Sequence, residues 1–359
     1  MSRVLIIAEA GVNHNGDELL ARELIDVAAG AGADFVKFQT FTADSLVTKR
    51  AKKAEYQSKN DQSTSTQVEM LRKLELDQDC FFRLFEYCKK KKIHFMSTAF
   101  DISSADFLVH KLEQNILKIP SGEIVNGPYL LEHAKYNKKI ILSTGMATLA
   151  EIEYALSIIA FGFLGNPNKK PGRDEFMSAY ISKDGQTALR ENVSLLHCTT
   201  DYPAPYKDAN LRCIQTLASS FGLQTGFSDH TEGILAPIAA VALGASIIEK
   251  HFTIDKSLEG PDHKASLDPQ NLVAMVSGIR NIEVALGSGN KIPTFLESKN
   301  KISVRQSLVA IENIKAGDYF TNKNIGTRRT GSGLSASLYW DVMGKQAVCD
   351  MDKFDEIVL

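Results

Sequence analysis

The chain predicts an α/β protein, a TIM (β/α)8 barrel followed by a small β-rich C-terminal module. Three observations lead there. Short apolar runs alternate with stretches of helical spacing, as strands and crossover helices do in a parallel sheet. The alternation recurs eight times over roughly 285 residues, the usual size of such a barrel. Past Leu286 the pattern stops, and shorter alternating runs separated by turns replace it. An open doubly wound sheet is the alternative, and the regularity of the eight units favours closure.

The expected strands are Val4–Ala8, Phe35–Gln39, His94–Thr98, Leu117–Pro120, Lys139–Ser143, Val193–Cys198, Gln224–Ser228 and Ser246–Lys250. Helical spacing is read over Glu18–Ala31, Gln78–Lys91, Ser103–Lys111, Tyr129–Tyr136, Leu149–Ile159, Asn210–Phe221, Gly233–Leu243 and Pro269–Leu286. Phe41–Gln67 is long and polar, as an active-site loop after the second strand would be. Phe161–Asn192 precedes the sixth strand and so is expected as a structural insertion on the bottom face, away from chemistry. Residues 1–286 form the expected barrel domain, 287–302 a linker rich in Gly, Ser, Asn and Lys, and 303–359 the β-containing module.

Composition narrows the class. A formal net charge of -2 on 359 residues gives no clustered basic excess for nucleic acid. Five cysteines, an odd number without zinc-finger spacing, read as reduced thiols in a cytoplasmic protein. The N-terminus enters a strand-like run directly, without a basic-then-apolar leader, and no apolar run approaches the ~20 residues of a membrane span.

In a barrel the C-terminal strand ends face the catalytic mouth. Here they carry Glu9, then Lys37 and Gln39, then Ser97 and Thr98, then Lys118, Ser121 and Glu123. Ser143 and Thr144 follow on the fifth strand, then His197, Thr199, Thr200 and Tyr202 on the sixth. Ser228, Asp229 and His230 end the seventh, and Glu249, Lys250 and His251 the eighth. Two lysines and several hydroxyls suit a small anion such as a phosphate or carboxylate. A right-handed βαβ unit sets His230 beside His251, close enough to share a divalent metal. Glycines in Ser121-Gly122-Glu123 and Ser143-Thr144-Gly145 would let backbone amides approach an anion.

Plainer readings stand beside these. His197 is as well explained as a satisfied core histidine, and His94 begins its strand on the bottom face. His110 and His133 lie in helical stretches and are expected at the surface. Lys37 has Glu9 as a simple partner, and the runs Lys49–Lys53 and Lys89–Lys92 read as solvated faces. The residues alone reach a metal-assisted barrel enzyme acting on a small anionic molecule.

The same stretches carry a specific likeness. Glu9-Ala10-Gly11-Val12-Asn13-His14-Asn15-Gly16, Lys118-Ile119-Pro120-Ser121-Gly122-Glu123, His197-Cys198-Thr199-Thr200-Asp201-Tyr202-Pro203, Ser228-Asp229-His230 and Glu249-Lys250-His251-Phe252-Thr253 resemble the sialic acid synthase family. These enzymes make nine-carbon nonulosonic acids from phosphoenolpyruvate and a mannosamine-type sugar. The C-terminal stretch resembles the family's antifreeze-like (SAF) domain. The resemblance implies a domain-swapped homodimer in the cytoplasm, with the SAF domain covering the partner's site.

It also implies roles. His230 and His251 match the metal-binding histidines, with manganese first among the cations and magnesium or cobalt next. Lys37, Thr98, Lys118, Ser121, Ser143 and Ser228 match positions that hold phosphoenolpyruvate, and Thr200 stands where some members have Asn. Glu9, Gln39, Glu123, Tyr202 and Asp262 match positions around the sugar. Arg329 matches the arginine that reaches in from the partner's C-terminal domain, although Thr330 stands where members often have Pro. C3 of phosphoenolpyruvate would attack the sugar aldehyde, water would add at C2, and phosphate would leave by C–O cleavage. Lys37 and Lys118 would compensate the anion. Glu9 and Glu123 are the two candidate acids or bases.

Ala54-Glu55-Tyr56-Gln57 and Gly260-Pro261-Asp262-His263-Lys264-Ala265-Ser266-Leu267 resemble the legionaminic acid branch, which condenses 2,4-diacetamido-2,4,6-trideoxymannose. The alternatives are an N-acetylneuraminate synthase using N-acetylmannosamine, a barrel that binds sugar or anion without catalysis, and a Schiff-base aldolase using Lys118.

Overall fold

The structure, a computed structural model, describes residues 3–48 and 66–359. It forms two compact units, Met1–Gly287 and Ser288–Leu359. In the first, eight parallel strands follow one another around a barrel: β1 Leu5–Gly11, β2 Phe35–Thr40, β3 His94–Ala99, β4 Ile116–Ile119, β5 Lys139–Ser143, β6 Val193–Cys198, β7 Gln224–Asp229 and β8 Ile247–His251. Backbone ladders run in the order β3-β2-β1-β8-β7-β6-β5-β4.

The seam between β3 and β4 is closed by one side chain. Gln114 accepts from the Ser97 amide at 2.8 Å and donates to the carbonyls of Ser97 and Ile116, both at 2.9 Å. A buried primary amide thus does the work of a peptide unit in a ladder that the backbone leaves open.

Alternation along each strand decides what faces the barrel axis. Ile6, Ala8, Val36 and Phe38 pack outward against the helices, in the main apolar core. Ile7, Met96, Ile141, Leu196 and Ile247 fill the barrel interior as a separate layer. Lys37 and Gln39 share the inward parity, so a charged residue in the middle of an apolar run reaches the mouth. On β7 and β8 the outward residues are Asp229 and Lys250, opposite each other in register. Lys250 Nζ lies 2.6 Å from Asp229 Oδ2 and also donates to the Thr231 carbonyl. This buried pair ties the two strands together one residue before His230 and His251.

The polar loop after β2 begins and ends in short helices, Ala43–Leu46 and Gln67–Leu74, the second with a Thr66–Glu69 capping box. They build a small apolar cluster of Phe41, Val68, Met70, Leu71 and Leu74 with Val12. The Lys49–Lys53 run and Ala54–Gln57 lie outside the described residues. The insertion before β6 extends the helix to Leu149–Leu164 and adds helices Arg173–Ile181 and Lys183–Asn192. It joins the N-terminal end of β6, opposite the mouth.

Two local expectations change. His133 is buried, not at the surface; its ring stacks on Tyr129 at 3.9 Å and its Nδ1 bonds the Tyr129 carbonyl at 2.9 Å. The helical stripe containing it faces the neighbouring layer. The stretch read as a linker contains a helix, Phe295–Val304, started by a Thr294–Glu297 capping box. Its Lys and Asn content masked that start signal. The second unit is built on the antiparallel pair β9 Ser307–Ala310 and β10 Ile325–Arg328, over a core that includes Leu308, Ile314, Phe320 and Val342.

Candidate active site

The strand ends converge on a cavity of about 360 Å³ at the C-terminal mouth of the barrel. Its centre is a charge cluster. Lys37 Nζ lies 2.6 Å from Glu9 Oε2 and 3.6 Å from Glu249 Oε2, and Lys118 Nζ lies 3.3 Å from Glu249 Oε1. Ser228 Oγ donates to Glu249 at 2.9 Å, Lys37 donates to Thr98 Oγ1 at 3.0 Å, and Gln39 approaches Glu9 at 3.4 Å. All four charged groups are buried. Burial acts to raise the Glu249 carboxyl, but Lys118 and Lys37 more than offset it and bring it to about 2. Glu9, pushed up by burial and by the neighbouring Glu249 against the pull of Lys37, reaches about 7.

Beside the cluster stand the two histidines. Their ring centroids are 5.6 Å apart, and Tyr202 packs over both, 4.1 Å from His230 and 5.8 Å from His251. His230 Nδ1 bonds the Thr199 carbonyl, so its other ring nitrogen keeps a free lone pair. His251 Nδ1 is buried without a partner. Burial holds both rings neutral, His230 near 4 and His251 well below its ordinary value. Neutral imidazoles of this kind fit a divalent cation. Among the described residues no cluster of three His, Cys, Asp or Glu side chains could hold one.

Ser121, Ser143, Thr200 and Asp262 also line the cavity. Ser143 Oγ is buried and unpartnered, a free donor for a ligand. Ser121 Oγ accepts from the Gly145 amide at 3.0 Å. A Cβ at Gly145 would lie 2.8 Å from that oxygen, so only glycine allows the approach, and its amide serves Ser121 rather than facing an anion. Gly122 has no such crowding. Gly11 sits at φ +55°, a left-handed backbone conformation that favours glycine, beside Glu9, Gln39 and His251. Burial raises Asp262 to about 6.

Glu123 is the exception among the expected residues. It does not line the cavity; its carboxylate accepts from Asn126 Nδ2 at 2.6 Å, at the start of helix Gly127–Lys135. Arg329 belongs to the second unit, where it is exposed. His263 is fully buried and bonds Thr253 Oγ1 at 2.7 Å, a loop-anchoring role. His197 stacks on Phe227 and bonds the Ala209 carbonyl at 2.8 Å, which makes it a core residue. Glu249 stands among the strand-end residues of the sequence reading but receives no role there. Period-two alternation from His251 would have found it, because residues two apart on a strand share a face.

A barrel whose mouth pairs two lysines with two carboxylates, beside two neutral histidines, defines a metal-assisted enzyme for small anionic substrates. The comparisons make the class specific. Residues 24–291 match the NeuB family, and the chain belongs to it, the family of sialic acid synthases. It is 49% identical to the N,N'-diacetyllegionaminic acid synthase of Campylobacter jejuni, over 100% of this chain and 99% of that one. To the N,N'-diacetyllegionaminic acid synthase of Legionella pneumophila it is 45% identical, over 95% of this chain and 89% of that one. Among solved structures it resembles an N-acetylneuraminic acid synthetase from Leptospira borgpetersenii in complex with citrate. That match has a TM-score of 0.68 and 34% identity, over 84% of this chain and 93% of that one.

Proposed function

We propose that the chain condenses phosphoenolpyruvate with 2,4-diacetamido-2,4,6-trideoxymannose to give N,N'-diacetyllegionaminate and phosphate. The observation that carries this reading is the full-length identity to two synthases of that name, 49% and 45%. The site chemistry supports it independently. Phosphoenolpyruvate carries a phosphate and a carboxylate, and Lys37 and Lys118 are the cations to meet them. Thr98, Ser121, Ser143, Thr200 and Ser228 supply hydroxyls around those lysines.

A divalent cation at His230 and His251, most readily manganese, supplies Lewis acidity toward a carbonyl oxygen. The chain's own groups do the rest. Lys37 and Lys118 hold the enol phosphate with C3 toward the aldehyde. Glu9 is positioned to carry the proton that water gives up on adding at C2, and the phosphate leaves with the bridging oxygen. Gln39, Tyr202 and Asp262 border the volume left for the sugar. Glu123 is the less favoured acid or base, because its carboxylate serves Asn126. The same reading makes the working unit a homodimer, in which Arg329 of a second copy reaches the sugar.

Phosphate release tests the reaction. The protein is incubated with phosphoenolpyruvate, Mn²⁺ and each mannosamine sugar in turn. Release is expected with the diacetamido sugar and is abolished by EDTA. A faster reaction with N-acetylmannosamine would make it an N-acetylneuraminate synthase instead. No release with any sugar would leave only a binding barrel.

A further inference from the structure

The hydroxyls that line the cavity differ in what already holds them. Ser228 commits its proton to Glu249, Thr98 accepts from Lys37, and Ser143 is unpartnered. Ser121 is held from two sides. The Gly145 amide donates to its Oγ at 3.0 Å, and Cys198 Sγ lies 3.1 Å from the same oxygen. The three residues stand at or just past the ends of β4, β5 and β6, which are neighbours in the barrel. A Cβ at Gly145 would lie 3.0 Å from Cys198 Sγ as well as 2.8 Å from Ser121 Oγ, so the bare glycine lets the three close up. Cys198 is buried, and among the described residues it is the one cysteine that lines the cavity.

We propose that Cys198 is a positioning residue for the substrate anion: its thiol donates to Ser121 Oγ and so turns the Ser121 hydroxyl proton into the cavity. The inference rests on the proposed use of phosphoenolpyruvate and adds to it a residue that acts through Ser121. A serine oxygen has one proton and two lone pairs. The Gly145 amide takes one lone pair. Across the contact to Cys198 either atom can donate, but the two directions are unequal once an anion arrives. Sulfur is a weak acceptor, whereas a phosphate or carboxylate oxygen makes a strong, charge-assisted bond. The Ser121 proton therefore goes to the anion, and the thiol proton fills the second lone pair. With both lone pairs taken the hydroxyl has one direction left, and the two incoming donors polarise it and strengthen the bond it makes. Among the described residues Ser121 Oγ has no third partner to draw its proton elsewhere.

The test is the binding of phosphoenolpyruvate itself, measured by isothermal titration calorimetry on the full chain with Mn²⁺ present, so that neither sugar nor turnover enters. The stoichiometry reports the folded fraction of each variant separately from its Kd. Ser121→Ala should weaken binding about 10-fold or more, the loss of a hydrogen bond to a charged group. Cys198→Ala should weaken it about 3- to 10-fold, and Cys198→Val, which fills the space without a donor, should do the same. Cys198→Ser keeps a donor and should recover most of the loss. In the Ser121→Ala background the Cys198→Ala change should cost less than about 2-fold more, because the residue it acts through is gone. A thiol that only packs would cost the same with Ser121 or without it. Equal cost in the two backgrounds, equal loss in the Ser and Ala variants, or no loss in Cys198→Ala overturns the role of Cys198 alone. A wild type without affinity for phosphoenolpyruvate overturns the condensation on which that role rests.

Discussion

Glu249 is where the chemistry of single residues is densest. It holds the ion pair to Lys118, accepts from Ser228 and lies within reach of Lys37, at the position where a substrate anion is expected. Removing it leaves Lys118 buried without that counter-charge. Glu249→Ala should cost about 3 kcal/mol of stability, as loss of one partner of a buried pair does. An added anion can replace the missing carboxylate, so phosphoenolpyruvate should raise the Tm of the variant more than that of wild type. An equal rise in both proteins would show that Glu249 does not stand in the anion's place. At this scale the sequence was partly legible. Lys37, Lys118, His230 and His251 stand out because polar groups inside apolar runs require a reason. Glu249 was obscured by two ionisable neighbours, and only the strand's alternation separates it from Lys250, which turns outward to Asp229. The burial of His133 was hidden because it is the one basic side chain on a covered face otherwise made of Tyr129, Leu130, Leu131 and Ala134.

Among the elements, the barrel strands were legible because each is a short apolar run, and β5 and β6 match their expected limits. The seam between β3 and β4 was not, since no local pattern marks a glutamine that replaces a backbone ladder. Gln114→Ala leaves the Ser97 amide and carbonyl, and the Ile116 carbonyl, without this partner. It should destabilise the barrel by about 2–4 kcal/mol, read from urea unfolding at constant m. A change below about 0.5 kcal/mol, the range of an ordinary surface substitution, would mean that the seam closes without it. The short helices Ala43–Leu46 and Gln67–Leu74 were hidden for a different reason. The surrounding loop is polar, and its few apolar residues acquire meaning only when they meet Val12 and Phe100 at the mouth.

The molecule as a whole divides into two compact units, between Gly287 and Ser288. In the proposed homodimer the second unit would serve the sugar site of another copy through Arg329. Arg329→Ala should raise the KM for sugar about 10-fold or more, the loss of one charge-assisted hydrogen bond, with the KM for phosphoenolpyruvate and the unfolding of the barrel unchanged. Unaltered sugar kinetics would remove Arg329 from the site. Among the described residues no helix is long and apolar enough to cross a membrane.

The central claim is a carbon–carbon bond made from phosphoenolpyruvate, and it is tested most directly by identifying the product. The protein, phosphoenolpyruvate, Mn²⁺ and 2,4-diacetamido-2,4,6-trideoxymannose are combined, and the products are followed by mass spectrometry alongside phosphate. The account predicts N,N'-diacetyllegionaminate and phosphate in equal amounts. Pyruvate trapped on Lys118 by borohydride, with no nonulosonic acid formed, would contradict it.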